Sequence, residues 1–333
     1  RVLFRSCLGV LCPAARAASR VEVRAEAGFS GRVWSNAHFP LRVSITNRGQ
    51  AFHGSIVLER KRDNKLVWQR TLDVSVPDGE SVFTTTALAG WLHEGLRVTV
   101  LDRGSAVART DVTLGSIPPE EAVVCVIGES SGKLKRLFGL QPLTPLAFES
   151  VQTQARASGP GPYGGSPPSG PPPASSGQSV SALPRQTVSH LHSMSSSECY
   201  EEAAAYECVS CVVLAGFTPR DASPGALKAL EEYAASGGVI VVAASPDVGV
   251  FGPPFYRKIL PGTVTAPSAA TPPGFPGQVF CASFAPSPRS RVFASWSGKP
   301  VVVGRPFGNG AVVFLSLDPS GEALQTWSGY DAF

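Results

Sequence analysis

Gly128-Glu129-Ser130-Ser131-Gly132 is the sharpest chemical signal in the sequence. It matches Gly-x-Ser-x-Gly, the tight turn that lifts a nucleophilic serine above a sheet between a strand and a helix. The apolar run Val123 to Ile127 supplies the strand, and a helix is expected from Lys133. Acyl transfer by such a serine also needs a histidine base and an acid to orient it. The histidines that follow are His190 and His192, with Glu149 as the acid ahead of them. A glycine-serine turn closing a first strand accounts for the same residues equally well. Ser130 therefore stands as a fallback nucleophile, and no residue is assigned as a primary catalyst.

A second constellation gathers Cys208 and Cys211 with Cys199, His190 and His192 upstream, enough nitrogen and sulfur for a tetrahedral zinc site. Its spacing argues against one. Cys211 enters an apolar strand, and residues three apart on a strand point to opposite faces, so the pair shares an ion only if Cys208 sits in a preceding turn. A redox pair would need a helix start, where the dipole lowers a thiol pKa. Unlinked thiols are the preferred reading, ahead of a Cys199–Cys208 disulfide and then of zinc. No metal or cofactor is expected, and no Gly-x-Gly-x-x-Gly or phosphate loop points to a nucleotide.

The elements that must position any such chemistry are clearest between Cys208 and Asp247. Val209 to Leu214 reads as a buried strand ended by Ala215-Gly216. Ser223 caps a helix with Pro224 at its first position, Leu227, Leu230, Tyr233 and Ala234 recur at helical spacing, and Gly237-Gly238 stops it. Val239 to Val242 is a second strand, followed by the turn Ala243-Ala244-Ser245. Open α/β sheets hold ligands at the carboxyl ends of their strands. That rim would gather Gly128, Glu129, Gly216, Phe217, Ser245, Asp247 and Asp318. Its acids suit a cation or a polyhydroxylated ligand, but turn and cap chemistry accounts for most of the set.

This layout resembles the class I glutamine amidotransferase-like fold, in which the second strand ends in a nucleophilic cysteine on a tight turn. Laid over that pattern, the cysteine falls at Ala244. The family's His-Pro-Glu segment has its counterpart in Asp318-Pro319-Ser320, where Asp318 and Ser320 stand for the base and its orienter. The resemblance implies a flavodoxin-like, three-layer α/β domain over residues 119–333 that has lost its catalytic residues.

Ahead of it, seven short alternating segments, from VEVRAEA to ARTDVTL, are parted by turn signals such as Asn47-Arg48-Gly49, Pro77-Asp78-Gly79 and Asp102-Arg103-Gly104. They predict an immunoglobulin-like β-sandwich over residues 20–116. Gly28-Phe29, Trp34, Pro40, Ile45, Asn47 and Gly49 resemble the β-domain found in exported envelope proteins that carry an amidotransferase-like domain. Trp34 and Trp68 read as core residues, with sugar stacking as the second reading. Residues 157–185 are so rich in Pro, Gly and Ser that they cannot bury enough apolar surface to offset ordering entropy, and they predict a disordered insertion.

The chain has 333 residues, 43% hydrophobic and 16% charged, a globular balance with ample core-forming material. Its net charge of +4 is scattered, with no basic stripe interleaved with aromatic residues, so no nucleic-acid partner is expected. RVLFRSCLGVLCPAARA reads as the remainder of an export signal over residues 1–19, cleaved near Ala17. No stretch approaches the ~20 apolar residues that span a bilayer. Envelope proteins of the kind named above continue into a membrane helix after a Trp-containing segment comparable to Gln325 to Gly329, which places that helix beyond Phe333. The sequence thus predicts an exported, membrane-anchored, non-catalytic interaction or scaffold protein with other envelope proteins as partners. The alternative is a secreted serine hydrolase using Ser130.

Overall fold

Among the described residues before residue 117, short runs of alternating apolar and polar residues fold into nine strands: β1 (Val21–Ala27), β2 (Arg32–Val33), β3 (His38–Asn47), β4 (Phe52–Arg62), β5 (Lys65–Val76), β6 (Gly79–Leu88), β7 (Leu96–Asp102), β8 (Ser105–Val112) and β9 (Gly115–Ser116). The computed structural model describes residues 21–29, 31–63, 65–90, 95–118, 121–128, 187–271, 275 and 277–321. Two antiparallel sheets, ordered β1-β3-β6 and β5-β4-β7-β8, contribute to a shared core, and β2 pairs with β9 in parallel. On β3, Phe39, Leu41, Val43 and Ile45 occupy every second position and are fully buried, as the two-residue period of a strand requires. Ile56 and Leu58 on β4 and Leu96, Val98 and Val100 on β7 answer them from the second sheet. Each such side chain contributes about 1.5–3 kcal/mol of transfer free energy.

Asn47 fixes the turn that its spacing to Gly49 announces. Its buried Nδ2 donates to the carbonyls of Gln50 at 2.9 Å and Pro77 at 3.1 Å, while Oδ1 accepts from Gly49 N at 3.0 Å. One side chain thereby satisfies the backbone of two neighbouring loops.

The second unit comprises β10 (Glu121–Ile127), β11 (Thr187–Met194), β12 (Cys211–Leu214), α1 (Pro224–Ser236), β13 (Val239–Ala243), α2 (Pro254–Ile259), β14 (Gly262–Ala270), β15 (Val279–Pro286), β16 (Arg291–Trp296), β17 (Lys299–Phe307) and β18 (Gly310–Leu315). Its sheet runs β11-β10-β12-β13-β18-β17-β16, parallel from β11 to β18 and antiparallel beyond. The helix α1 forms as its sequence demands. Ser223 Oγ accepts from Ala226 N at 3.1 Å, Pro224 opens the first turn, and Gly237 closes the last at φ +131°.

This architecture corrects the fold class read from the sequence. Of the described residues 57% are strand and 13% helix, with two α-helices in all. A sandwich followed by a flavodoxin-like, three-layer α/β domain is therefore not what the chain builds. The physical reason lies in the connections. Between β11 and β12 there are only 3-10 turns, at Ser196–Glu198 and Ala203–Tyr206. Between β13 and β18 the chain inserts the six-residue α2, the β14–β15 ribbon and the antiparallel β16 and β17. One strand–helix–strand unit was extrapolated into helical layers that these segments do not form, and the amidotransferase-like assignment falls with it. Among the described residues no helix is long and apolar enough to cross a membrane. Residues 1–19, the Pro/Gly/Ser-rich segment 157–185 and the segment 325–333 lie outside the described residues.

The two units share one continuous buried cluster and a dense polar joint. The Cys208 thiol donates to the His38 carbonyl at 3.3 Å and accepts from Trp34 N at 3.4 Å. Glu207 accepts from His38 N and faces its Nδ1, both at 2.9 Å. Phe29 packs edge-on against the His192 ring at 5.0 Å.

Candidate ligand cleft at the joint between the two units

The carboxyl-end rim is where the sequence led us to expect a ligand, and its described members are held in turns. Gly128 ends β10 at φ +125°, and a Cβ there would collide with the Ala215 carbonyl oxygen. Glycine is thus required because two backbones pass at contact distance. Gly216 follows β12 at φ +69°, and the Phe217 ring beyond it is buried against Phe255 and Tyr256. Tyr256 OH donates to the Phe217 carbonyl at 3.0 Å. Ala244 follows β13 and is buried, with its N–H donating to Leu315 O at 2.8 Å, and Ser245 is half-buried beside it.

The acids of the rim are equally committed. Asp247 Oδ1 accepts from Gly249 N at 2.9 Å and caps a 3-10 turn. Asp318 Oδ1 accepts from Ser320 N at 2.9 Å and from Ser320 Oγ at 2.5 Å, closing the loop after β18. Phe251 and Phe284 pack on Phe314 at the same end of the sheet, at 5.8 and 4.4 Å between centroids. The rim is built from an aromatic cluster and self-satisfied turns. Glu129, the fallback nucleophile Ser130 and its proposed acid Glu149 lie outside the described residues, as does the side chain of His190.

The cysteines do not converge either. Cys125, Cys199, Cys208, Cys211 and Cys281 are all free, so the Cys199–Cys208 disulfide is absent. No group of three His, Cys, Asp or Glu side chains among the described residues is arranged to hold a metal. Burial pushes the thiols up, Cys208 to about 11 and Cys199 and Cys211 to about 12. These groups stay protonated and behave as small core residues.

The structure opens a cleft elsewhere, at the amino ends of β12 and β13 where the first unit meets the second. It has a volume of about 460 Å³, and its walls include Trp34, Tyr206, Glu207, Ser210, Tyr233 and Gly238. Trp34 is set by its backbone bond to Cys208 and packs half-buried on the core. Trp68, the other tryptophan read as a core residue, packs half-buried in the same cluster. Tyr206 OH accepts from Tyr200 N at 3.2 Å, and Tyr233 OH donates to Val209 O at 3.0 Å. Both phenols are held well above their ordinary pKa by burial and remain neutral donors and acceptors. Gly238 is required because a Cβ there would strike the Tyr233 ring.

Two polar atoms of these walls, Trp34 Nε1 and Ser210 Oγ, are buried without a hydrogen-bond partner among the described residues. Each is sealed from solvent within the walls, where leaving a buried donor or acceptor unmet costs about 1–3 kcal/mol. The cleft was invisible in the sequence because Trp34 and Ser210 are far apart in the chain and come together only when the units dock. The single hint was Trp34, for which sugar stacking had been the second reading.

With this geometry in hand, comparisons with known proteins add the following. Residues 20–115 match a family model described as a domain of unknown function, DUF8726. No curated protein matches the chain. Among solved structures the chain is similar to the cytoplasmic protein STM1381 from Salmonella typhimurium LT2, at 16% identity and TM-score 0.35, over 43% of this chain and 78% of that one. It is similar also to the cytoplasmic protein STM3548 from Salmonella typhimurium, at 13% identity and TM-score 0.35, over 42% and 76%. A third likeness is to the exo-β-1,4-mannosidase Op5Man5 from Opitutaceae bacterium strain TAV5, at 15% identity and TM-score 0.32, over 43% of this chain and 26% of that one.

Proposed function

We propose that the chain is an exported, non-catalytic interaction module of the cell envelope, in which two docked units present a binding cleft at their joint. One observation carries the reading: the acids at the rim are spent on their own turns, while a cleft of about 460 Å³ opens where the two units meet. Asp318 is consumed by Ser320 and Asp247 by Gly249. A catalytic rim would hold its acids free to meet substrate. Export is supported by the early arginines, the short apolar stretch and the Ala15-Arg16-Ala17 end within residues 1–19.

Treatment of the purified chain with a fluorophosphonate probe, together with assays on activated esters and amides, tests the reading. No labelling and no turnover are expected. Labelling that vanishes in Ser130→Ala would replace the proposal with a secreted serine hydrolase. A fusion of residues 1–40 to a leaderless alkaline phosphatase should give phosphatase activity in a bacterial host, and an inactive cytoplasmic fusion would remove the export half of the proposal.

A further inference from the structure

The electrostatics of the cleft walls narrow what can enter, and two separate features make them negative. Glu207 is the one charged residue among the described residues that line the cleft, and its side chain is 47% exposed. Both of its bonds to His38 are made by Oε2, which leaves Oε1 to meet a ligand. The second feature is the carboxyl end of α1, whose last residue Ser236 and cap Gly237 belong to the same wall. A helix carries about half a negative charge at that end, and the last turn of α1 has no basic residue to offset it. No lysine or arginine stands among the described residues that line the cleft, so an anion would be desolvated without compensation. A lone carboxylate does not hold a metal ion, which takes a larger set of oxygen ligands, and no group of three suitable side chains exists among the described residues. A guanidinium or ammonium group needs no such set, because it bonds to one carboxylate and gains from the helix end. Trp34, Ala203 and Ala204 line the same space half-buried and offer an apolar wall to a methylene stem. The volume of about 460 Å³ lies in the range of sites that enclose a small molecule or one long side chain.

We infer that the cleft receives an arginine or lysine side chain of a partner protein, its charged head on Glu207 and toward the carboxyl end of α1, its stem along Trp34, Ala203 and Ala204. The inference deepens the interaction-module reading, on which it rests, by naming the chemistry of the partner. Glu207 is placed by the docking itself, since His38 from the first unit holds it through both its backbone N–H and its ring nitrogen. The site therefore exists only when the two units are joined.

Isothermal titration of the full chain at pH 8, above the ordinary histidine range, tests the inference with three capped tripeptides: acetyl-Ala-Arg-Ala-amide, its lysine counterpart, and a citrulline counterpart that keeps the shape of arginine without the charge. The arginine or the lysine peptide should bind with a Kd of about 1 mM or tighter, and the citrulline peptide roughly tenfold more weakly or not at all. Glu207→Gln keeps an acceptor for His38 and removes the charge; it should weaken the cationic peptide by roughly tenfold. Ser236→Lys places a cation at the exposed end of α1, where it should block the peptide while the unfolding midpoint holds or rises. Circular dichroism and the unfolding midpoint confirm that each variant is folded. Binding by neither cationic peptide, equal binding of the citrulline peptide, or binding unchanged in both folded variants would each overturn the inference. Peptide binding together with fluorophosphonate labelling at Ser130 would leave the cation site standing and sink the non-catalytic reading. Absence of peptide binding, with the fluorophosphonate test also negative, would do the reverse.

Discussion

Arg70 and Glu202, 132 residues apart, meet as a two-pronged pair: Nη1 lies 3.2 Å from Oε2 and Nη2 lies 3.1 Å from Oε1. Thr86 completes the set, its hydroxyl donating to Glu202 Oε2 at 2.6 Å and accepting from Arg70 at 2.7 Å. The pair joins β5 to the residue that immediately precedes the 3-10 turn Ala203–Tyr206.

The strength of that clamp is the first prediction. The side chains are 35% and 40% exposed, so solvent screening limits the pair, and a double-mutant cycle of Arg70→Ala and Glu202→Ala should give a coupling of about 1 kcal/mol at neutral pH. Burial raises the Glu202 pKa, but the Thr86 hydroxyl and the Arg70 guanidinium outweigh it and leave it below the ordinary value. A depressed carboxylate contributes stability above its unfolded pKa and loses it as pH falls through the folded one. Denaturant unfolding should show the coupling intact at pH 7 and shrinking below about pH 4; a coupling that grows on acidification would refute the assignment.

His192 predicts a second pH dependence at the same joint. Burial lowers its pKa, while Glu26 and Glu198 pull weakly the other way. The unfolded chain then takes up a proton first, near pH 6.5, so this contribution is complete above that pH and declines as pH falls toward the lowered folded value. Unfolding midpoints between pH 8 and 5 should drop for the parent protein and drop less for His192→Gln, since the neutral amide has no proton to gain. Parallel pH profiles for the two proteins would show that the Phe29–His192 contact is insensitive to charge.

Asp318 separates a turn residue from a chemical one. Its Oδ1 holds Ser320, an acceptor role that asparagine can fill and alanine cannot. Asp318→Asn should keep stability within about 0.5 kcal/mol and Asp318→Ala should cost about 1–2 kcal/mol, both read by chemical denaturation. Equal losses in the two variants would point to a role for the charge itself.

The thiols give a fourth test. With Cys199, Cys208 and Cys211 raised to about 11 to 12 and Cys125 raised further by complete burial, the thiolate fraction at pH 8 is small. Maleimide labelling of native protein followed by peptide mapping should leave these four unmodified until denaturant is added. Rapid native labelling of Cys208 would mean that the joint around Trp34 and His38 opens in solution.

Much local structure was legible because it follows from one residue and its near neighbours. Ser223, Pro224 and Gly237 delimit α1 through cap geometry, and the alternation of Phe39, Leu41, Val43 and Ile45 needs only the period of a strand. Ala244 directly follows β13, which ends at Ala243. The layering went wrong because β14 to β17 carry the same short apolar runs that buried helices and strands share, and the parallel core of the sheet invited helices on both of its faces. The state of the candidate rim was not legible for a related reason. Gly128, Gly216, Asp247 and Asp318 are turn formers, and the sequence shows their type without showing whether their polar groups are already spent.

What the sequence determined by itself is therefore short-range: where strands start and stop, which helix is capped, which face of each strand is apolar. Backbone dihedrals, caps and two-residue periods act over a few residues and leave their mark in adjacent letters. What only the tertiary structure decided is the docking of the two units, with Cys208 between Trp34 and His38 and Glu202 against Arg70, and the cleft that docking creates. Those contacts depend on surfaces assembled from segments well over a hundred residues apart, and no local pattern encodes which surface will meet which.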